Sequence, residues 1–292
     1  MRASLAARTI DGMLSRDDAP SLLPLAADIA SRAADLVAQR RAALVAAGGL
    51  SVAATKSSEV DPVTVVDRAS EEFIAREIAR LRPGDGIVGE EGTHDAGTTG
   101  VQWIVDPIDG TVNFLYGIPS YAVSLGVAVD GQLVAGAVCN PATGELFSAA
   151  RGCGARVQRG GKSREITASQ ATRLAHSLVA TGFSYSSQRR ASQAEILTEV
   201  LPRVRDIRRA GSAALDLCAV ACGRVDAYFE HGTHPWDYAA GAVIAAEAGA
   251  TVHHPGLDAE GAQGRLTAAA APGVWAEFAA LLKNAGAWEP LC

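Results

Sequence analysis

The chain has 292 residues, 48% of them hydrophobic and 20% charged, with a formal charge of −6 from 26 basic and 32 acidic side chains. That length suits one large domain or two medium ones of about 150 residues, and it is ample for a core without a disulfide or metal staple. The balance excludes a largely disordered or fibrous chain, and it lacks the basic excess of an electrostatic nucleic-acid binder.

Residues 1–20 mix Arg2, Arg8, Asp11, Arg16, Asp17 and Asp18 with no apolar h-region. They read as a flexible leader rather than a secretory signal. Apolar residues at helical spacing predict a first helix over 21–47, with Ser21 as its N-cap and Gly48-Gly49 as its end. A polar stretch from Thr55 to Pro62 follows. A second helix is expected from Asp67 to Leu81, acidic at its start (Glu71, Glu72) and basic at its end (Arg76, Arg80, Arg82), as the helix dipole favours. Ile87-Val88-Gly89 is a short strand aimed at Glu90-Glu91, residues 92–100 are a Gly- and Thr-rich loop, and Trp103-Ile104-Val105 is a buried strand that delivers Asp106. Over 121–158 strands alternate with turns in an antiparallel meander, with Asp130-Gly131 as a hairpin turn.

After about residue 165 the pattern changes. Strands are expected at 176–181, 225–230, 251–254 and 265–270, and helices at 188–201, 212–222, 237–248 and 274–285. Strand alternating with helix implies layered α/β architecture. The chain therefore divides into a leader (1–20), an N-terminal α+β half with an antiparallel sheet (21–165) and an alternating α/β half (166–292). No stretch reaches the ~18 uninterrupted apolar residues of a membrane helix. Five scattered cysteines fit a reducing, cytoplasmic setting, with Cys218 and Cys222 read as small core residues. The cluster Arg203, Arg205, Arg208, Arg209 reads as a solvated face.

The densest chemistry is Asp106-Pro107-Ile108-Asp109-Gly110-Thr111. Two carboxylates flank a proline that stiffens the turn, and Gly110 permits an unusual backbone angle or a close ligand. Thr111 opens a possible helix whose amides could face an anion. Glu90 ends another strand, Thr64 and Asp67 precede the second helix, and Asp237 opens a later one. Singly, Asp67 and Asp237 are equally ordinary helix caps. Together Glu90, Asp106, Asp109 and Asp237 form an oxygen-only donor set, which selects Mg²⁺ or Mn²⁺ over Zn²⁺. Carboxylates so crowded repel one another unless cations neutralise them.

These motifs resemble the inositol monophosphatase family of metal-dependent, lithium-sensitive sugar phosphatases. The matching stretches are Asp61-Pro-Val-Thr64-Val-Val-Asp67, Gly89-Glu90-Glu91, Trp103-Ile-Val-Asp106-Pro-Ile-Asp109-Gly-Thr111, Gly211-Ser-Ala-Ala214 and Trp236-Asp237. The resemblance implies a five-layer αβαβα sandwich. It implies metal ligation by Glu90, Asp106, Asp109, Asp237 and the Ile108 carbonyl, with Asp106 bridging two ions. It gives Asp67 and Thr111, supported by Thr64, the orientation of the attacking water, and makes Glu90 part of the catalytic set. The Gly110 and Thr111 amides would hold the phosphate, Asp109 would also contact the substrate, and Lys56 would lie near the phosphate mouth or be simply solvated.

The chemistry expected is in-line attack by a metal-activated water on a phosphate monoester, with no phosphoenzyme. Glu230, seven residues before Asp237, resembles the glutamate that accepts hydrogen bonds from sugar hydroxyls, and Ala213 would add a backbone contact. The expected substrate is therefore inositol 1-phosphate or a similar phosphorylated polyol. Fructose 1,6-bisphosphate, histidinol phosphate, NADP and a nucleotide 3′-phosphate are the alternatives, as is a regulatory scaffold on the same fold. His231 and His234 read as pocket-rim residues. A homodimer is expected by resemblance, a nucleic-acid partner is not.

Overall fold

The computed structural model describes residues 19–48 and 62–291. Lys56 and Asp61 fall outside them, as does nearly all of the leader. Helix α1 (Ala19–Ala46) starts two residues before the expected cap, so Ser21 lies within its first turn. Leu22, Ala26, Ile29, Ala33 and Val37 form its buried stripe. Helix α2 (Pro62–Leu81) already includes the five residues before Asp67. Asp67 is therefore an interior helical residue and not a cap.

Eight strands form the first sheet: β1 (Gly86–Gly89), β2 (His94–Asp95), β3 (Val101–Asp109), β4 (Ala122–Val129), β5 (Gln132–Asn140), β6 (Glu145–Ala150), β7 (Ala155–Arg159) and β8 (Lys162–Ile166). Their spatial order is β2-β1-β3-β4-β5-β6-β7-β8. The meander is antiparallel, but β1 pairs parallel with β3, so the sheet is mixed rather than wholly antiparallel. The segment read as a loop folds back as β2 against β1, and this returns the chain to run beside β1 in the same direction. Asp130 and Gly131 both take positive φ, 48° and 73°, as a two-residue hairpin requires. Between β3 and β4 lies the short helix α3 (Thr111–Tyr116).

The second half contributes β9 (Leu178–Thr181), α4 (Ser187–Val200), β10 (Asp206–Arg208), α5 (Ala213–Ala221), β11 (Ala227–His231), α6 (Pro235–Glu247), β12 (Thr251–His253), β13 (Leu266–Ala270) and α7 (Trp275–Asn284). Its sheet runs β10-β9-β11-β13-β12, parallel across the first three strands and antiparallel across the rest. Strand β10 was not legible in the sequence, where its residues read as a solvated face.

The layers follow from packing. α1 and α2 cover one face of the first sheet, α5 and α6 lie between the two sheets, and α4 and α7 cover the far face of the second. This is the five-layer αβαβα sandwich. The central layer is tight because Gly126 and Gly136 pair across β4 and β5 directly beneath α6. A Cβ on Gly136 would lie 2.5 Å from the Ala240 carbonyl oxygen. No described helix is long and apolar enough to cross a membrane.

Candidate active site

The hexapeptide is not a simple turn. β3 continues through Asp109, and its register against β4 shifts between Asp106 and Asp109. In a regular strand two residues three apart face opposite sides, and the irregularity at Pro107-Ile108 turns both carboxylates to one cavity. Gly110 follows with φ 92°, a left-handed angle, and a Cβ there would sit 2.9 Å from the Ser120 carbonyl. Only glycine fits that corner without strain.

Asp237 arrives from the first turn of α6, 128 positions beyond Asp109. Carboxylate oxygens of Asp106, Asp109 and Asp237 lie within 4.8 Å of one another. Glu90, at the end of β1, stands outside this triad but lines the same cavity, with its carboxyl facing that of Asp106. Each acid is anchored. Ser212 Oγ and the Ala214 amide donate to Asp109 Oδ2 at 2.6 and 2.7 Å, the Ile108 amide to Asp106 Oδ1 at 3.0 Å, and the His234 amide to Asp237 Oδ2 at 2.7 Å. The turn carrying Glu90 is held by buried Glu71 of α2, which accepts from the Glu91 and Thr93 amides at 2.8 and 2.9 Å. Thr111 Oγ1 donates to the Ile108 carbonyl at 3.2 Å.

Burial, then mutual repulsion, pushes the Asp106 and Asp237 carboxyls well above the usual carboxylate range. Burial lifts Glu90 to about 7, and lifts Asp109 to about 6 against the hydrogen bonds from Ser212 and Ala214. All the donors are oxygens and their charges are uncompensated by one another, so the set fits a hard divalent cation. The linkage has a definite sign. These folded-state values lie above the unfolded ones, so the metal-free fold binds extra protons, and that stabilisation is lost as pH rises from about 4 through 7. In EDTA the melting temperature should fall between pH 5 and pH 8, and added Mg²⁺ should restore it at pH 8. A thermal-denaturation series with a flat pH profile in EDTA would contradict this electrostatic account.

The triad and Glu90 open onto a cavity of about 380 Å³. Ile108, Gly110, Thr111, Ala213 and Glu230 also line it. Burial raises the Glu230 carboxyl to about 7, against a 3.0 Å hydrogen bond from the Tyr228 hydroxyl. Asp67 is buried on α2 and is not among these lining residues. One turn after Asp67, Ser70 Oγ donates to the Pro107 carbonyl at 3.4 Å, which ties α2 to the hexapeptide. The side chain of Thr64 lies outside the described residues. His234 lines the cavity, stacked on Trp236 at 4.5 Å, but His231 does not. On β11 neighbouring side chains face opposite ways, so Glu230 turns to the cavity while His231 is buried, its Nε2 2.7 Å from the Ala287 carbonyl.

Several lining residues carry no assignment from the sequence, Arg209 and Tyr185 among them. Arg209 lines the cavity, because β10 pairs with β9 and carries it there from the supposed solvated cluster. Tyr185 lines it from the segment between β9 and α4. Neither stands in a motif, and only long-range strand pairing brings them near the carboxylates.

Residues 19–286 match the inositol monophosphatase family. The inositol-1-monophosphatase SuhB of Mycobacterium tuberculosis is 47% identical over 289 residues, covering 96% of this chain and 99% of that protein. The solved structure of Mycobacterium tuberculosis SuhB matches with a TM-score of 0.81 at 46% identity, covering 92% of this chain and 98% of that one. A Pasteurella multocida protein named Nus factor SuhB is 39% identical over 230 residues, covering 77% of this chain and 83% of that protein. With the family match spanning nearly the whole chain and the same layered fold beneath it, this chain belongs to the inositol monophosphatase family.

Proposed function

We propose that the protein is a Mg²⁺-dependent phosphatase that hydrolyses inositol 1-phosphate or a closely similar polyol monophosphate to the free polyol. The observation that carries this is the convergence of Asp106, Asp109 and Asp237 within 4.8 Å, beside a cavity that also holds Glu230. Asp106, Asp109, Asp237, Glu90 and the Ile108 carbonyl would hold the cations, of which Mn²⁺ is the other candidate. When bound, such cations neutralise phosphoryl and leaving-group oxygens and acidify a water. Asp67 and Thr111 are assigned the orientation of that water. Thr111 Oγ1 is already directed by its bond to the Ile108 carbonyl. Gly110 and Thr111 flank the phosphoryl position, and Asp109, tied to the Ser212–Ala214 corner, connects it to the polyol side. Ala213 and Glu230 take the polyol, where a half-buried acceptor discriminates against esters lacking hydroxyls. A homodimer and a cytoplasmic setting complete the reading, and the free cysteines Cys139, Cys153, Cys218 and Cys222 are compatible with a reducing compartment.

A panel of inositol 1-phosphate, fructose 1,6-bisphosphate, histidinol phosphate, glycerol 2-phosphate and NADP tests the reading by phosphate release. Inositol 1-phosphate should show the highest kcat/KM, and EDTA should abolish turnover of every ester. Preference for NADP would overturn the substrate while leaving the phosphatase chemistry. A second reading, a regulatory role carried on the same fold, is favoured by the relative named Nus factor SuhB.

A further inference from the structure

The most exposed large apolar side chain described is Tyr185, 81% exposed, and yet it borders the catalytic cavity. Its backbone is held in place from α4. Arg190 Nη1 donates to the Ser184 and Tyr185 carbonyls, each at 2.9 Å. The Ser184 amide donates to Gln193 Oε1 at 2.9 Å, and Gln193 Nε2 donates to the Gly182 carbonyl at 3.3 Å. The Ser186 amide donates to Ser184 Oγ at 3.1 Å. Gln193 is itself buried, so the segment is anchored to the core rather than loose.

The phenol lies within electrostatic reach of Arg209, Asp109, Glu90 and Glu230. It therefore stands at the mouth of the site that holds the carboxylates. An aromatic ring in water beside a polar cavity has an unused apolar face, and burying it on a ligand is favourable. A cyclic polyol offers a matching partner. Its hydroxyl edge suits half-buried acceptors such as Glu230, while its ring carbons present a continuous C–H face. An acyclic polyol has no such face.

Resting on the phosphatase reading above, we propose that Tyr185 is a specificity residue whose ring packs on the C–H face of a cyclic polyol phosphate and so selects cyclic over acyclic esters. The contact is made by substrate and transition state alike, so it acts on KM rather than kcat. Steady-state kinetics with Mg²⁺ would compare inositol 1-phosphate and glycerol 2-phosphate for the wild type, Tyr185→Ala and Tyr185→Phe, with melting temperatures as a check on folding. The wild type should prefer the cyclic ester. Tyr185→Ala should lower the cyclic-to-acyclic ratio of kcat/KM about tenfold through KM, the equivalent of about 1.4 kcal/mol. Tyr185→Phe, which keeps the ring, should hold the ratio within twofold. A ratio preserved in Tyr185→Ala overturns the assignment and leaves the substrate reading standing. A ratio lost equally in Tyr185→Phe shows that the hydroxyl acts and overturns ring packing. A wild type without cyclic preference overturns the substrate reading itself, and this assignment with it.

Discussion

Replacing Asp106 with Asn is expected to lower Mg²⁺-dependent kcat by at least ~10³-fold, a loss typical of removing central charge stabilisation. The substitution is nearly isosteric. The asparagine amide would keep an oxygen to accept from the Ile108 N–H, so the β3 irregularity should persist. What changes is charge. Asp106 is 1% exposed and faces Glu90, Asp109 and Asp237, so its charge is crowded by three others. Removing its charge relieves repulsion in the metal-free protein and weakens cation binding. Two melting curves should therefore cross. In EDTA at pH 8 the variant should melt above the wild type, whereas in saturating Mg²⁺ it should melt below it. Metal at 100 times its Kd stabilises by about 2.7 kcal/mol, and the variant should lose most of that increment. Unchanged turnover would remove the catalytic assignment of the whole cluster. In the regulatory reading, the same inactive variant should still support the non-catalytic role.

Gly136→Val lies away from the cavity, yet it should destabilise the fold by about 3 kcal/mol. A Cβ at Gly136 would meet the Ala240 carbonyl oxygen at 2.5 Å and its Cα at 2.8 Å. These are backbone atoms of α6, which no rotamer change can move. The helix must back away from the sheet, and it carries Asp237 in its first turn. The melting temperature should fall by roughly 5–10 °C. Metal affinity, read by titration calorimetry with Mn²⁺, should fall as well, because Asp237 withdraws from Asp106 and Asp109. Gly136→Ala should show the same two effects at smaller size. A variant that keeps its melting temperature would show that α6 does not depend on this close approach.

Both expectations rest on how the fold delivers side chains, and the sequence disclosed that unevenly. Helix and strand periodicity marked most elements, since the 3.6- and 2-residue repeats act within a few positions. Ser21 and Asp67 look like helix caps in the sequence, yet the chain is already helical before both, at Pro20 and Pro62. Asp106, Asp109, Glu90 and Asp237 were conspicuous as strand-end or helix-start acids next to glycine, proline or tryptophan. Their placement in one cavity depended on the β3 irregularity and on α6 docking over Gly126 and Gly136, which are interactions across more than a hundred residues.

Residues without a local signature were the ones lost. Arg209 reads as one of several surface arginines until β10 is paired with β9. Tyr185 reads as one aromatic in a serine-rich stretch until α4 anchors its backbone. His231 and His234 look alike in sequence, and strand alternation buries one while the other reaches the cavity. The amino-acid order alone thus determined the layered α/β class and the acidic chemistry, because propensity, periodicity and carboxylate composition are short-range properties. Which side chains share the cavity, and what surrounds them, was decided by strand pairing and helix docking, because those bring together atoms that no local rule relates.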